Sequence, residues 1–187
     1  MKKISDNSLI KQKLNLKITS PKVDSCDQAI TYALQLLDKK LPINVKALIS
    51  GSVIIIANGL TESGGEADAK EKKIILDLEK NKLSLQEAED FLVQEKILNE
   101  GDWTVTLLKN KDKKWSCLTY QLVHEFGHII DGRQKGDSYN RLKPNLSPTK
   151  YGKNSPSEAF SEAFTYWILG SKQQEKADQI VISTLNL

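Results

Sequence analysis

The feature that most constrains this chain is the stretch LVHEFGHIID at positions 122–131, which contains both of its histidines, His124 and His128. The residues beside the histidines are apolar: Leu122, Val123, Phe126, Ile129 and Ile130. Such a pattern predicts a helix that is apolar nearly all round and therefore buried. Burying two imidazoles and the carboxylate of Glu125 is costly unless these groups bind something. The sequence therefore predicts a buried helix whose polar side chains share a ligand.

The spacing of these polar residues indicates a metal ion as that ligand. Residues four apart lie on one face of a helix, so the imidazoles of His124 and His128 can meet one zinc ion (Zn2+) at ~2.0–2.1 Å. Glu125 is rotated by about 100° from His124, which keeps it near the metal without making it a ligand. There it can deprotonate a water at the metal, as in the His-Glu-x-x-His zinc peptidases. Gly127 lets another backbone or a substrate approach between the two ligands.

A catalytic zinc site needs a third protein ligand. One known solution places a histidine six residues after the second motif histidine, but this chain has glutamine there. The other solution is a glutamate from a later helix, for which Glu158 and Glu162 are candidates on one helix face. One of them can bind zinc while the other hydrogen-bonds a ligand histidine and fixes its tautomer. Asp131 is predicted to pair with Arg133 or to support a ligand rather than to bind the metal.

A structural role competes for Glu158. The segment Ser155-Pro-Ser-Glu158 has the pattern of a capping box, with Pro156 at the first helical position. In that case the Glu158 carboxylate would reach back to the backbone at the start of the helix. One carboxylate cannot easily do both, so the sequence leaves this alternative open.

Length and composition are typical of a single globular domain, since the chain has 187 residues, of which 39% are hydrophobic and 27% charged. Residues 1–20 are polar and weakly patterned and are predicted to be a basic N-terminal arm, followed by one domain over residues 21–187. Hydrophobic patterns predict an α+β fold. The predicted helices cover about 24–39, 84–98, 116–132 and 156–170, the strands 44–49, 53–57, 73–78 and 103–108, and the loops 59–70 and 133–155.

Charge and hydropathy narrow the classes of partner. The net charge of +3 does not imply a nucleic-acid partner, and the lysine-rich segments 2–22 and 109–114 lack interleaved aromatic residues for stacking bases. The longest apolar run, Val53–Ala57, is too short to span a membrane. Cys26 and Cys117 are predicted to be free, buried thiols. No signal peptide is visible, so we expect a cytoplasmic protein, one exported without a signal, or a secreted one whose leader lies outside this sequence. A monomer is favoured.

Two further segments accompany the histidine motif, TKYG at 149–152 and SEAFSEAF at 157–164. Together these segments resemble the catalytic domain of anthrax lethal factor and the related bacterial Pro-Pro endopeptidases, over roughly the C-terminal half of the chain. Residues Val45–Gly51 also look like the first strand of that family. The resemblance implies a zincin-like fold, with a small twisted mixed sheet, an active-site helix and a C-terminal helix. HEFGH differs from the Pro-Pro enzymes at the two central positions, so the resemblance does not extend to a proline preference.

The resemblance also implies a role for each site residue. It implies zinc bound by His124, His128 and Glu158, with Glu125 as catalytic base. It further implies that Tyr151 stabilises the oxyanion and that Glu162 supports a ligand histidine.

The implied activity is a zinc-dependent metalloendopeptidase that acts on a peptide or protein. Residues Trp103–Leu108 are our candidate for the edge strand that pairs with an extended substrate. The alternative is a catalytically silent zincin-fold module that binds a peptide or protein and holds a structural zinc. Zinc content and peptide cleavage would separate the two.

Overall fold

A computed structural model describes residues 6–94, 113–134, 149, 151–170, 174–185 and 187. Within these residues the fold is α+β, as predicted, with a four-stranded sheet and a larger helical part. The elements are α1 (Asp6–Lys13), β1 (Lys17–Thr19), α2 (Asp24–Lys40), α3 (Ile43–Ile49), β2 (Val53–Ala57), β3 (Gly65–Asp68), β4 (Lys73–Asp77), α4 (Leu78–Asn81), α5 (Leu85–Gln94), α6 (Ser116–Arg133), a 3-10 helix (Tyr151–Asn154), α7 (Pro156–Leu169) and α8 (Gln174–Leu185). None of the helices described is long and apolar enough to cross a bilayer.

The sheet is small and mixed, with strand order β1-β2-β4-β3. Strands β1, β2 and β4 run parallel, and β3 is antiparallel to β4. The two central strands alternate in burial, so that every second residue packs into the core. The fully buried core residues of these strands are Ile54, Ile56, Ile74 and Leu76.

Helix α6 lies in the middle of the molecule, with α7, α2, α3 and the sheet packed around it. Its observed bounds match the predicted helix over 116–132, and most of its side chains are buried. Helix α7 approaches α6 closely at Gly127, where an added Cβ would lie 2.8 Å from Cα of Ser161. The glycine therefore admits a neighbouring backbone between the histidines, as its position predicted.

One predicted strand is wrong. Residues 44–49 form helix α3, and so the resemblance of Val45–Gly51 to a first strand is not supported. The β-branched residues of this segment suggested a strand, but Val45 and Ile49 are four residues apart and are the two buried side chains of the helix. Pro42 stands at the N-cap, where its missing N–H costs no helical hydrogen bond.

The predicted loop at 59–70 contains strand β3, whose sequence GEAD has low intrinsic strand propensity. Its pairing with β4 supplies the stability that its composition lacks. The segment predicted as an arm also contributes to the fold, because residues 6–19 form α1 and β1 and bury Leu14 and Leu16 in the core. The predicted helices at 24–39 and 156–170 and the strands at 53–57 and 73–78 are confirmed.

Several predictions fall partly or wholly outside the described residues. The candidate edge strand 103–108 lies there, as do residues 95–98 of the predicted helix 84–98 and most of the loop 133–155. Both cysteines are free and buried, as predicted.

Candidate metal centre

Three side chains from α6 and α7 bring their ligand atoms together. Nε2 of His124 lies 3.1 Å from Nε2 of His128, and Oε2 of Glu158 lies 3.2 Å and 3.5 Å from these two nitrogens. This is the one group of histidine, cysteine and acidic residues in the described part of the chain that could hold a metal ion. Two of its members come from the buried helix and the third from the first turn of α7, as the sequence predicts.

The distances within this group suit a small tetrahedral cation. Ligand atoms at 2.0–2.1 Å from a tetrahedral ion are about 3.3–3.4 Å from one another, close to the three separations observed. Oε2 of Glu158 is buried and has no aligned hydrogen bond to any residue that the structure describes. Three electron-rich atoms so close together repel one another unless a proton or a cation lies between them. The donor set of two imidazoles and one carboxylate therefore fits a divalent metal ion.

The remaining ring nitrogens are held from the side of α7. Nδ1 of His124 lies 2.9 Å from Oε1 of Glu162, at ion-pair distance although the ring N–H is not well aligned with the oxygen. Nδ1 of His128 lies 3.0 Å from Oγ of Ser157. If each Nδ1 carries the ring proton, both Nε2 lone pairs face Glu158. Helix α7 thus contributes the carboxylate of the group and contacts both of its imidazoles.

Only one of the two hydrogen bonds of the predicted capping box at Ser155 and Glu158 is present. Oγ of Ser155 accepts a hydrogen bond from the backbone N–H of Glu158 at 3.1 Å, but the Glu158 carboxylate lies against the histidines. Ser84 and Glu87 show the complete capping box, because each side chain there bonds the backbone N–H of the other. The same sequence pattern is therefore used in two ways in this chain.

Glu125 lies beside the metal group without belonging to it. Its Oε1 accepts a hydrogen bond of 2.6 Å from Nε2 of Gln121, one turn earlier on α6. The backbone of β3 presses against the same carboxylate, since a Cβ at Gly65 would lie 2.5 Å from Oε1. Burial raises the pKa of Glu125, although the charges of His124 and His128 oppose the rise. A buried carboxyl with a raised pKa is suited to taking and returning a proton.

Tyr151 lies beside the group, near His124. It begins the 3-10 helix before α7, and its ring centroid is 6.2 Å from that of His124. The side chain is half-exposed. Burial of its inner side, followed by the charge of Glu158, raises the pKa of Tyr151 to about 12, so the phenol keeps its proton at neutral pH and can donate a hydrogen bond. Asp131 is buried and stands outside the metal group.

The charges around the group favour a cation at this position. Burial lowers the pKa of His124, but Glu158 and Glu162 outweigh it and raise that pKa to about 10. Burial raises the pKa of Glu158, yet its contacts with the two histidines hold it well below the usual range. The neighbouring carboxylates therefore favour positive charge at His124, which a proton or a divalent ion can supply.

Three further residues, which the sequence patterns do not predict, contact this group or the carboxylates beside it: Tyr120, Gln121 and Ser157. The first two could have been found by counting four residues back from His124 and Glu125, because that spacing puts side chains on one helix face. The hydroxyl of Tyr120 donates to Oε1 of Glu162. No comparable signal marks Ser157, which depends on how α7 packs across α6.

Comparisons with known protein families, with curated proteins and with solved structures find no match for this chain. Its chemistry must therefore be inferred from its own side chains. These are a three-residue group that could hold a metal ion, a buried carboxyl held next to it, and a protonated phenol beside it.

Proposed function

We propose that the protein is a zinc-dependent metalloendopeptidase with a zincin-like arrangement of its site. The observation that carries the proposal is the convergence of His124, His128 and Glu158 on one point, with the carboxylate of Glu125 held beside it. Two histidines, one carboxylate and a neighbouring glutamate are the groups that peptide hydrolysis at zinc requires. The resemblance of HEFGH, YG and SEAFSEAF to lethal factor-like peptidases supports the same conclusion.

Each residue has a distinct task in this reaction. His124, His128 and Glu158 would hold zinc, which when bound supplies a Lewis acid that polarises the scissile carbonyl and acidifies water. Glu125 accepts the proton of the attacking water and passes it to the leaving amine. Tyr151 donates its phenolic hydrogen to the oxygen that becomes negative in the transition state.

Strand β3 supports a peptide as the substrate. It lies at one end of the sheet, and among the described strands β4 is its one neighbour. An extended peptide can add to such an edge through main-chain hydrogen bonds. Gly65, the first residue of β3, abuts Glu125, so a peptide bound along this edge would pass next to the catalytic base. The edge strand proposed at Trp103–Leu108 stays a prediction.

The deciding experiment measures zinc content and peptide cleavage in the same preparations. We expect one zinc per chain by elemental analysis, and cleavage of a mixed peptide library read by mass spectrometry. The matched control is Glu125→Gln, which should keep its zinc and lose cleavage, because Glu125 acts on the water rather than on the metal.

The other outcomes separate the alternatives. Zinc without cleavage of any peptide by the parent protein would favour the catalytically silent binding module with a structural zinc. A parent protein that binds no zinc would refute the metal centre itself. Cleavage that survives in Glu125→Gln would show that the base is misassigned or that a contaminant cleaves the peptides.

A further inference from the structure

Tyr120 is a buried residue of α6, one turn before His124, and the proposed reaction does not use it. Its ring lies nearly parallel to the imidazole of His124, with an interplanar angle of 26° and centroids 6.0 Å apart. Its hydroxyl donates to Oε1 of Glu162, the same oxygen that lies 2.9 Å from Nδ1 of His124. Tyr120 and His124 therefore share one carboxylate oxygen across the contact between α6 and α7.

In the contacts that link Tyr120, Glu162 and His124, the Glu162 oxygen accepts hydrogen bonds and the two ring residues can donate them. The phenolic O–H is the donor and the carboxylate oxygen the acceptor, so Tyr120 holds Oε1 of Glu162 in place from one side. The ring N–H of His124 can approach the same oxygen from the other side. A histidine that donates from Nδ1 presents the lone pair of Nε2, which is the atom facing His128 and Glu158.

Because Glu162 is buried, the position of its Oε1 depends on the hydrogen bond from the hydroxyl of Tyr120. Glu162 is 3% exposed, so water does not readily replace a lost donor. Without the hydroxyl, the carboxylate is free to turn towards other donors and away from His124. The ring of His124 would then be less firmly held, and the proton could move to Nε2, where it would block the metal.

We propose that Tyr120 is a positioning residue for the metal ion. Its hydroxyl anchors Glu162, and Glu162 holds His124 in the tautomer and orientation that bind the ion. The inference rests on the proposed function in so far as the ion is zinc. Tyr120 thus becomes the third residue, after His124 and Glu162, in a series of contacts that leads away from the metal group.

The test is the zinc affinity of Tyr120→Phe, a substitution that removes one oxygen and keeps the ring. We expect zinc to bind about 10-fold more weakly, at the low end of the loss for a partner that contacts a metal ligand indirectly. Affinity is measured by competition with a chelator, in proteins shown by circular dichroism to be folded. The control is Tyr32→Phe, at a half-buried tyrosine of α2 that is not part of the metal group, and this variant should bind zinc as the parent does.

A double-mutant cycle distinguishes positioning through Glu162 from a general effect on the fold. In a Glu162→Ala background, Tyr120→Phe should change the zinc affinity by less than about twofold, because the residue through which it acts is gone. Equal losses in both backgrounds would overturn the proposal. So would a folded Tyr120→Phe protein with the parent's affinity.

A measurement on the parent protein keeps the proposal testable if Tyr120→Phe does not fold. The chain has two histidines, so the imidazole nitrogen signals in an NMR spectrum are few enough to assign. With zinc bound, we expect a slowly exchanging Nδ1–H on His124 and a nuclear Overhauser effect between it and the hydroxyl hydrogen of Tyr120. Absence of that Nδ1–H would refute the inference. A parent protein that binds no zinc would instead refute the proposed function.

Discussion

Glu158 and Glu162 lie one helical turn apart on α7, but they contact different atoms of the histidines. Glu158 faces the two Nε2 atoms, whereas Glu162 lies behind His124 at its Nδ1. Glu158 is part-exposed and Glu162 is buried. In the proposed metal centre the two carboxylates therefore have separable roles, Glu158 as a metal ligand and Glu162 as a support for His124.

Alanine substitution of each glutamate tests this division. Glu158→Ala removes one of three protein ligands, so we expect it to lose zinc readily to a chelator. Glu162→Ala should keep zinc but bind it ~10–100-fold more weakly, the usual cost of losing a group that orients a ligand. The two proteins are compared in one chelator titration. Faster zinc loss from Glu162→Ala than from Glu158→Ala would reverse the assignment.

The phenol of Tyr151 is tested by removing its oxygen. Tyr151→Phe should lower kcat by ~10²-fold, the low end for loss of one oxyanion donor. KM and zinc content should change little, since the residue stands outside the ligand group and is half-exposed. Steady-state kinetics on a good peptide substrate measure both constants. An unchanged kcat would leave Tyr151 with a packing role only.

At the scale of elements, the close contact between α6 and α7 determines the geometry of the site. The two helices meet where Gly127 faces Ser161. Gly127 lies directly before His128 on α6, and Ser161 lies directly before Glu162 on α7. A side chain at Gly127 would push α7 away and move both glutamates from their partners. The glycine therefore controls the distance between the two halves of the metal group.

Gly127→Ala sets two opposing effects against each other. Alanine favours a helix over glycine by about 0.8–1 kcal/mol. Its Cβ would, however, lie 2.8 Å from Cα of Ser161, which is backbone and cannot swing aside, and overpacking of this kind costs about 1–3 kcal/mol. We expect a net loss of stability in urea unfolding, together with weaker zinc binding. A variant as stable as the parent, with unchanged zinc affinity, would show that α7 can shift without disturbing the site.

For the whole molecule, metal binding should be linked to stability. The proposed ligands come from two helices, α6 and α7, which residues 134–155 separate in the chain, with residues 135–148 and 150 outside the described part. An ion that binds the folded state alone stabilises it by about 2.7 kcal/mol at 100 times its Kd. For a chain of this length that corresponds to a rise in Tm of roughly 5–11 °C.

Thermal unfolding with added zinc and with excess chelator measures this linkage. Glu158→Ala is the matched control, because it keeps both histidines and should respond much less to the same zinc concentrations. Equal stabilisation of the parent and of Glu158→Ala would indicate that zinc binds elsewhere, or that Glu158 is not a ligand.

Elements with strong local patterns could be predicted from the sequence. Helices α2, α6 and α7 have clear apolar faces, and β2 and β4 are short apolar runs next to turn residues. Strand β3 cannot be predicted from the sequence, because its pairing with β4, and not its composition, makes it a strand. Helix α3 contains β-branched residues that favour a strand prediction, whereas its two buried residues, Val45 and Ile49, follow a helical period. Residues 6–19 have the sequence of an arm, because a helix and an edge strand as short as α1 and β1 carry little pattern of their own.

By itself, the sequence determined the relation between residues that share one helix. His124, Glu125 and His128 are placed by the helical period alone, and the period also puts Glu158 and Glu162 on one face. Only the tertiary structure decided which glutamate meets which nitrogen. That choice depends on how α7 crosses α6 at Gly127, which brings Glu158 to the Nε2 atoms and Glu162 to Tyr120 and Nδ1 of His124. Contacts between helices depend on packing of whole surfaces, and no local pattern in the chain records them.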